Sequence, residues 1–127
     1  MASPDNNSIP GNRSVTVGLG DTLSVGAERS TVVRRNDTTS VGGNLTLSVG
    51  QSVSQSIGTD LALTVGKRVV VTAGDSLEFV VGSARLVLKK DGSILLSGRD
   101  ITIEGSGKVN VKAAGEVVLR GSKIQQN

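Results

Sequence analysis

The sequence predicts an all-β protein, an elongated prism in which three copies of the chain wind around one axis as an intertwined, triple-stranded β-helix. Three observations carry that reading. Glycine recurs at every eighth residue, short apolar alternations precede each of these glycines, and charged residues of opposite sign stand eight apart. The glycine comb is cleanest at Gly50, Gly58, Gly66, Gly74 and Gly82, and the same phase catches Gly18, Gly26, Gly42 and Gly98. One residue before each slot stand Val17, Val25, Val33, Val41, Val49, Ile57, Val65, Ala73 and Val81. Residues two apart on a strand share a face, and Thr16, Ser24, Ser48, Ser56, Thr64 and Thr72 fall between the apolar positions. Each octad therefore reads as a short strand with one apolar and one polar face, and the glycine is expected to turn the corner at little steric cost.

Composition supports this class and excludes others. The 127 residues hold one Phe, one Met, and no Trp, Tyr, Cys or His. Val, Leu, Ile, Ser, Thr and Gly favour strands, and no stretch has helical period. Lacking Cys and His, the chain has no disulfides, no thiolate metal site and no histidine base. A net charge of +3, with acidic and basic residues alternating, leaves no basic stripe for nucleic acid. No apolar run is long enough to span a bilayer, and no signal-peptide pattern stands at the amino end.

In chain order, residues 1–12 are polar, hold both prolines, and read as a linker or an appended lead-in. The β-helical needle is expected over residues 13–127. Its first four octads are degenerate, with Arg34 in a glycine slot and Thr31 and Thr39 on the apolar face. From Leu45 a third inward position becomes apolar, so the fuller core is expected around Val49, Val53, Leu61, Leu63, Val65, Val69, Val71 and Phe79, the last forming a three-ring layer. Between 84 and 97 the pattern falters. Lys89 and Ser97 take the inward slot, while Leu86, Leu88, Ile94 and Leu96 are expected on the opposite face around an Asp91–Gly92 turn, through a local change of register. Phase returns with Ile101, Ile103, Val109, Val111, Val117 and Leu119, where Gly105, Ala113 and Gly121 narrow the closing positions.

One chain cannot satisfy this pattern alone. Two or three aliphatic side chains per octad contribute roughly 1.5–3 kcal/mol each on burial, against ordering eight residues at about 1–2 kcal/mol apiece. Octads must stack, either as a solenoid with residue i over i+24 or as a three-chain braid with residue i over i+8 of a neighbour. The charges decide. At a separation of eight within the repeats, opposite pairs are Arg13/Asp21, Asp21/Arg29, Arg29/Asp37, Asp60/Arg68, Lys67/Asp75, Asp91/Arg99, Asp100/Lys108, Lys108/Glu116 and Glu104/Lys112, against one like pair, Lys112/Arg120. At 24 the repeats hold only Arg13/Asp37, Lys67/Asp91 and Asp75/Arg99 as opposite pairs, against the like pair Arg99/Lys123. A homotrimer follows, in which fourteen octads from Gly11 to Ser122 would climb about 65–70 Å. Three copies of Gln55 would ring the axis and bond one another, water or an ion, a wet shaft being preferred to a specific ion site.

The octads, such as LTLSVGQSVSQSIG and LALTVGKRVVVTAG, resemble the valine-glycine repeat (VgrG) spike proteins of type VI secretion and the needles of contractile phage tail spikes. The closing run from Leu86 to Asn127 looks most like the VgrG carboxyl region. The resemblance implies a rigid spike that pierces a target envelope, touches the target membrane transiently, and docks a PAAR-type tip protein or effector at its carboxyl apex. Residues 117–127 would form that apex, with Val117, Leu119, Ile124, Gln125, Gln126 and Asn127 at open strand edges that need a cap. The family's hub and oligosaccharide-binding-like domain are not in this sequence, so the chain is expected to be the needle alone. It implies a protein assembled in the cytoplasm and delivered by the type VI machine to the exterior or a target cell without a signal peptide.

No enzyme is expected and no cofactor or metal. Most of the eleven acidic residues fall at turns or outward positions beside basic partners, Gly105-Ser106-Gly107-Lys108 lacks the spacing and helix of a phosphate loop, and Gly42-Gly43-Asn44 lacks the Asp and period of calcium-binding repeats. Asn12-Arg13-Ser14, Asn36-Asp37-Thr38 and Asn44-Leu45-Thr46 match sequons that such compositions produce by chance. Alternative readings are a phage tail-spike needle and a structural trimeric fibre or adhesin stalk.

Overall fold

Glycine at every eighth residue is matched by a bend at every eighth residue. In the computed structural model, which describes residues 4–127, the backbone is extended and turns at 18–19, 26–27, 34–35, 42–43, 50–51, 58–59, 66–67 and 74–75. Arg34–Arg35 bends like its glycine neighbours. After an interruption, bends at 106–107, 114–115 and 122 resume the same phase. The chain divides into two units, Met1–Ser56 and Ile57–Asn127. The described part of the first consists wholly of extended segments and bends. The second continues them and adds the only strands among the described residues, which contain no helix.

The repeat is geometrically uniform. Val17, Val25, Val33, Val41, Val49, Ile57 and Val65, each one residue before a bend, are all 43–49% exposed, a spread narrow enough to require the same local conformation at each corner. The reason for glycine at these corners differs from the expected one. None has a positive φ, and a Cβ at Gly18, Gly26, Gly50, Gly58, Gly66 or Gly74 would meet nothing within 4 Å in its own chain. Any L-residue can make the bend, as Arg34 does.

Residues 76–97 form a three-stranded antiparallel sheet, β1 (Ser76–Val81), β2 (Ala84–Lys89) and β3 (Ile94–Ser97), in the order β1-β2-β3. Val81 pairs with Ala84, so β1 and β2 join through Gly82-Ser83 alone. Gly82 has φ of 55° and Ser83 does not share the positive sign, the pattern of a II′ turn, whose twist matches that of the flanking strands. The β2–β3 connection is a three-residue loop: the Gly92 amide donates to the Lys89 carbonyl at 3.0 Å, Lys89 N–H donates to Ser93 O at 3.0 Å, and Gly92 has φ of 91°. The Lys90 amide donates to Asp75 O at 2.9 Å and ties the sheet's start to its middle.

This sheet corrects the sequence reading of 84–97. Leu86, Leu88, Ile94 and Leu96 do not lie opposite the inward residues of the preceding octad. The register places Leu77 beside Leu88 and Ile94, Phe79 beside Leu86 and Leu96, and Val81 beside Ala84, all on one face. A hairpin with a two-residue loop exchanges odd for even positions as a one-residue slip does, but returns the chain antiparallel, so the apolar set stays on the original face. Lys89 and Ser97 fall on the other face, and the interruption expected at 84–97 takes the form of a sheet that begins at Ser76, so residues 76–97 leave the repeat of fourteen octads. Replacement of Gly92 by Ala is expected to cost about 1–2 kcal/mol, since the left-handed region is strained for L-residues, and Gly92→Asn appreciably less. Denaturant midpoints of the two variants beside the native chain measure it.

Candidate functional site

With no His, Cys or aromatic cluster, the surfaces able to act are those the backbone and the aliphatic side chains present. The first is the octad array. Among the described residues, the backbone–backbone hydrogen bonds lie within the sheet or among Asp75, Lys89, Lys90, Gly92 and Ser93. The extended segments elsewhere therefore present rows of N–H and C=O groups that their own chain does not pair. Such groups are obligatory hydrogen-bonding groups, and a row of them is a template for another strand. Their aliphatic residues are uncovered too. The residues expected in the core, Val49, Val53, Leu61, Leu63, Val65, Val69, Val71 and Phe79, are all exposed in the single chain, Leu63 at 74%.

The scale is large. The chain exposes 14147 Å², whereas a folded monomer of 12.9 kDa exposes about 6,300 Å². The one buried apolar residue among those described is Val87, 5% exposed. Charges behave in the same way. Of the pairs eight apart, none forms an ion pair within the chain among the described residues, where the ion pairs are Glu78–Arg85 and Arg99–Asp100. Asp91/Arg99 leaves the set, because Asp91 sits in the β2–β3 loop.

The second surface is the sheet, whose two faces differ. On one, Arg85 Nε and Nη2 both donate to Glu78 Oε1, at 2.9 and 2.6 Å, diagonally across β1 and β2. Both side chains are about half exposed, so the pair contributes on the order of 0.2–1 kcal/mol. Val87 is buried on this face. The other carries Leu77, Phe79, Val81, Ala84, Leu86, Leu88, Ile94 and Leu96, with no polar side chain among them. The segments flanking the sheet shape two hollows along it: one of about 420 Å³ lined by Phe79, Leu86, Leu96 and Ile101 together with Arg85 and Asp100, and one of about 240 Å³ lined by Val71, Leu77 and Leu88 together with Asp75, Lys89 and Lys90. Sequence reasoning missed this face. The signal was the Gly82-Ser83 pair between two apolar alternations, which is a short hairpin signature.

The third is the carboxyl end. Val117, Leu119, Ile124, Gln125, Gln126 and Asn127 are exposed on extended chain outside the strands. Among the described residues there is no group of three or more acidic residues able to hold a metal.

A family model, the bacteriophage T4 gp5 C-terminal trimerisation domain, matches residues 3–82. The chain belongs to this family. Membership relates it to the needles of phage tail spikes and supports a homotrimer, the association that the unpaired backbone and uncovered aliphatic residues require. The matched span covers the octads up to Gly82 together with β1, and stops before β2 and the octads that resume after the sheet. No curated protein matches the chain.

Hydrogen bonds hold the Asp91 carboxyl below the ordinary carboxylate range. Its carboxylate accepts the Ser93 N–H at 2.9 Å, and this backbone bond, with a second from the Ser93 side chain, lowers its pKa. The contribution is therefore present above the ordinary carboxylate value and lost as pH falls through the lowered one. A carboxyl-carbon NMR titration is expected to give Asp91 a midpoint below that of an unstructured Asp, with the Ser93 amide shift following the same curve.

Proposed function

We propose that the chain is the rigid needle of a contractile injection machine, an intertwined homotrimer whose carboxyl apex docks a tip protein or effector. One observation carries this reading: extended backbone, unpaired within its own chain, turns every eight residues with an aliphatic side chain before each corner. Closing three such chains around an axis pairs the backbone and leaves no lateral strand edge, which gives a stiff shaft. The charges agree, because residue i of one chain over i+8 of the next turns the pairs eight apart into interchain ladders.

The type VI secretion version rests on the VgrG-like closing run, in the part beyond the family match. On that reading the needle is assembled in the cytoplasm, leaves without a signal peptide, meets the target membrane transiently, carries a PAAR-type protein at Val117, Leu119 and Ile124–Asn127, and has no active site, cofactor or nucleic-acid partner. A second reading, a phage tail-spike needle, is favoured by the family match itself. Recovery of the chain in medium only when the secretion machine is intact supports the first, and its presence in purified phage particles the second. A fibre or adhesin stalk would bind along its sides.

Sedimentation equilibrium is expected to give three times the chain mass. Asp60→Arg is expected to weaken the trimer by about 0.2–1 kcal/mol at each of its three symmetry-related pairs, and the further change Arg68→Asp to restore it. Failure of the double variant to recover removes the proposed stagger. Deleting Ile124–Asn127 is expected to leave the trimer intact and abolish capture of a PAAR-type tip protein in a pull-down. Undiminished capture refutes apex docking.

A further inference from the structure

We propose that the apolar face of the β1–β2–β3 sheet is a second self-association surface, on which three copies of the sheet meet face to face around the needle axis. This rests on the trimeric reading and extends it beyond the family match, which ends at Gly82. Leu77, Phe79 and Val81 lie within the matched span, while Ala84, Leu86, Leu88, Ile94 and Leu96 lie outside it.

Three observations select copies of this chain as the occupant. The face continues an interface of the trimerisation domain, because Leu77, Phe79 and Val81 occupy the same inward positions, five, three and one before a glycine, as Leu61, Leu63 and Val65 do before Gly66. All eight strand side chains are aliphatic or aromatic, so the middle of the face offers nothing to recognise or satisfy a polar partner, and charged groups such as Arg85, Asp100, Asp75 and Lys89 stand only along the hollows at its two ends. The two faces differ in polarity rather than in exposure: the opposite one mixes Val80, Val87 and Leu95 with the charged Glu78, Arg85 and Lys89, and Glu78 bonds Arg85, whereas Phe79, Ile94 and Leu96 are each more than half exposed with no polar residue among the strand positions of their face. Contiguous apolar patches of this extent are rarely left open on a soluble protein. The hollows at either end of the face would receive side chains of the facing copies, at the roughly 10 Å spacing of packed sheets.

Because the chain has no Trp, single tryptophans report each face separately in the full-length protein, once trimer mass has been established by sedimentation equilibrium. Phe79→Trp is expected to emit at short wavelength and to be quenched by acrylamide several-fold more slowly than Val80→Trp, which lies on the opposite face. Leu96→Asp is expected to lower the temperature at which the trimer dissociates, while Ser97→Asp, its neighbour on the other face, leaves it unchanged. A trimer in which both tryptophans are quenched equally fast, or in which Leu96→Asp dissociates at the native temperature, overturns the inference and leaves the trimer standing. A native chain of monomer mass overturns both.

Discussion

The constraint on which everything else depends is that the octad backbone has nowhere within its own chain to place its hydrogen bonds. A helix or a hairpin settles this account locally, but a segment that advances, bends and advances again never comes beside itself. Every donor and acceptor along it must be met by water or by another strand. Water can hydrate the polar groups, but it cannot also cover a valine or leucine at every second position. The two needs coincide on the same residues, and a neighbouring copy meets both together: ladder bonds along the edge and aliphatic contact on the inner face. For such a chain, folding and association are one event, and its stability is inseparable from protomer concentration.

The glycine comb acquires a different meaning in this light. Glycine is usually explained by backbone freedom, and Gly82 and Gly92 do use positive φ. The octad glycines from Gly18 to Gly74 do not, and their own chain leaves open space where a Cβ would stand. Arg34 occupies one such slot with no change in the bend. What glycine supplies at the others has to be sought outside the chain, in how closely a neighbouring copy can approach the corner. In the proposed trimer the residue type is thus set by an interface, which a single chain cannot display.

The bends at 18, 26, 50, 58, 66 and 74 were legible from the glycines, and the loop at Asp91–Gly92 from its turn chemistry. The direction of the chain after Gly82 was not. Ala84 to Leu96 switches from odd to even apolar positions, and a register slip and a hairpin both produce that switch. Only the spacing of Val81 and Ala84, which leaves room for two residues, distinguishes them, and within a glycine-rich repeat another glycine carries little information. The candidate surfaces follow the same division: the octad face is a period and can be counted, whereas Phe79, Leu86 and Leu96 come together only through antiparallel pairing.

The sheet also changes the order in which the chain can acquire structure. Its strands are neighbours in sequence, joined by two- and three-residue loops, and hairpins of this kind close in about 1–10 μs without a partner. In the proposed trimer an octad gains its ladder partners only after another chain has arrived. Yet a small sheet with one face open to water is marginal by itself, because its stability needs that face covered. Residues 76–97 therefore combine the local pairing that the rest of the chain lacks with the same dependence on copies that the rest of the chain has. Pairing them internally fixes a flat apolar face before encounter, so the association that covers it orders fewer residues than docking a bare octad would.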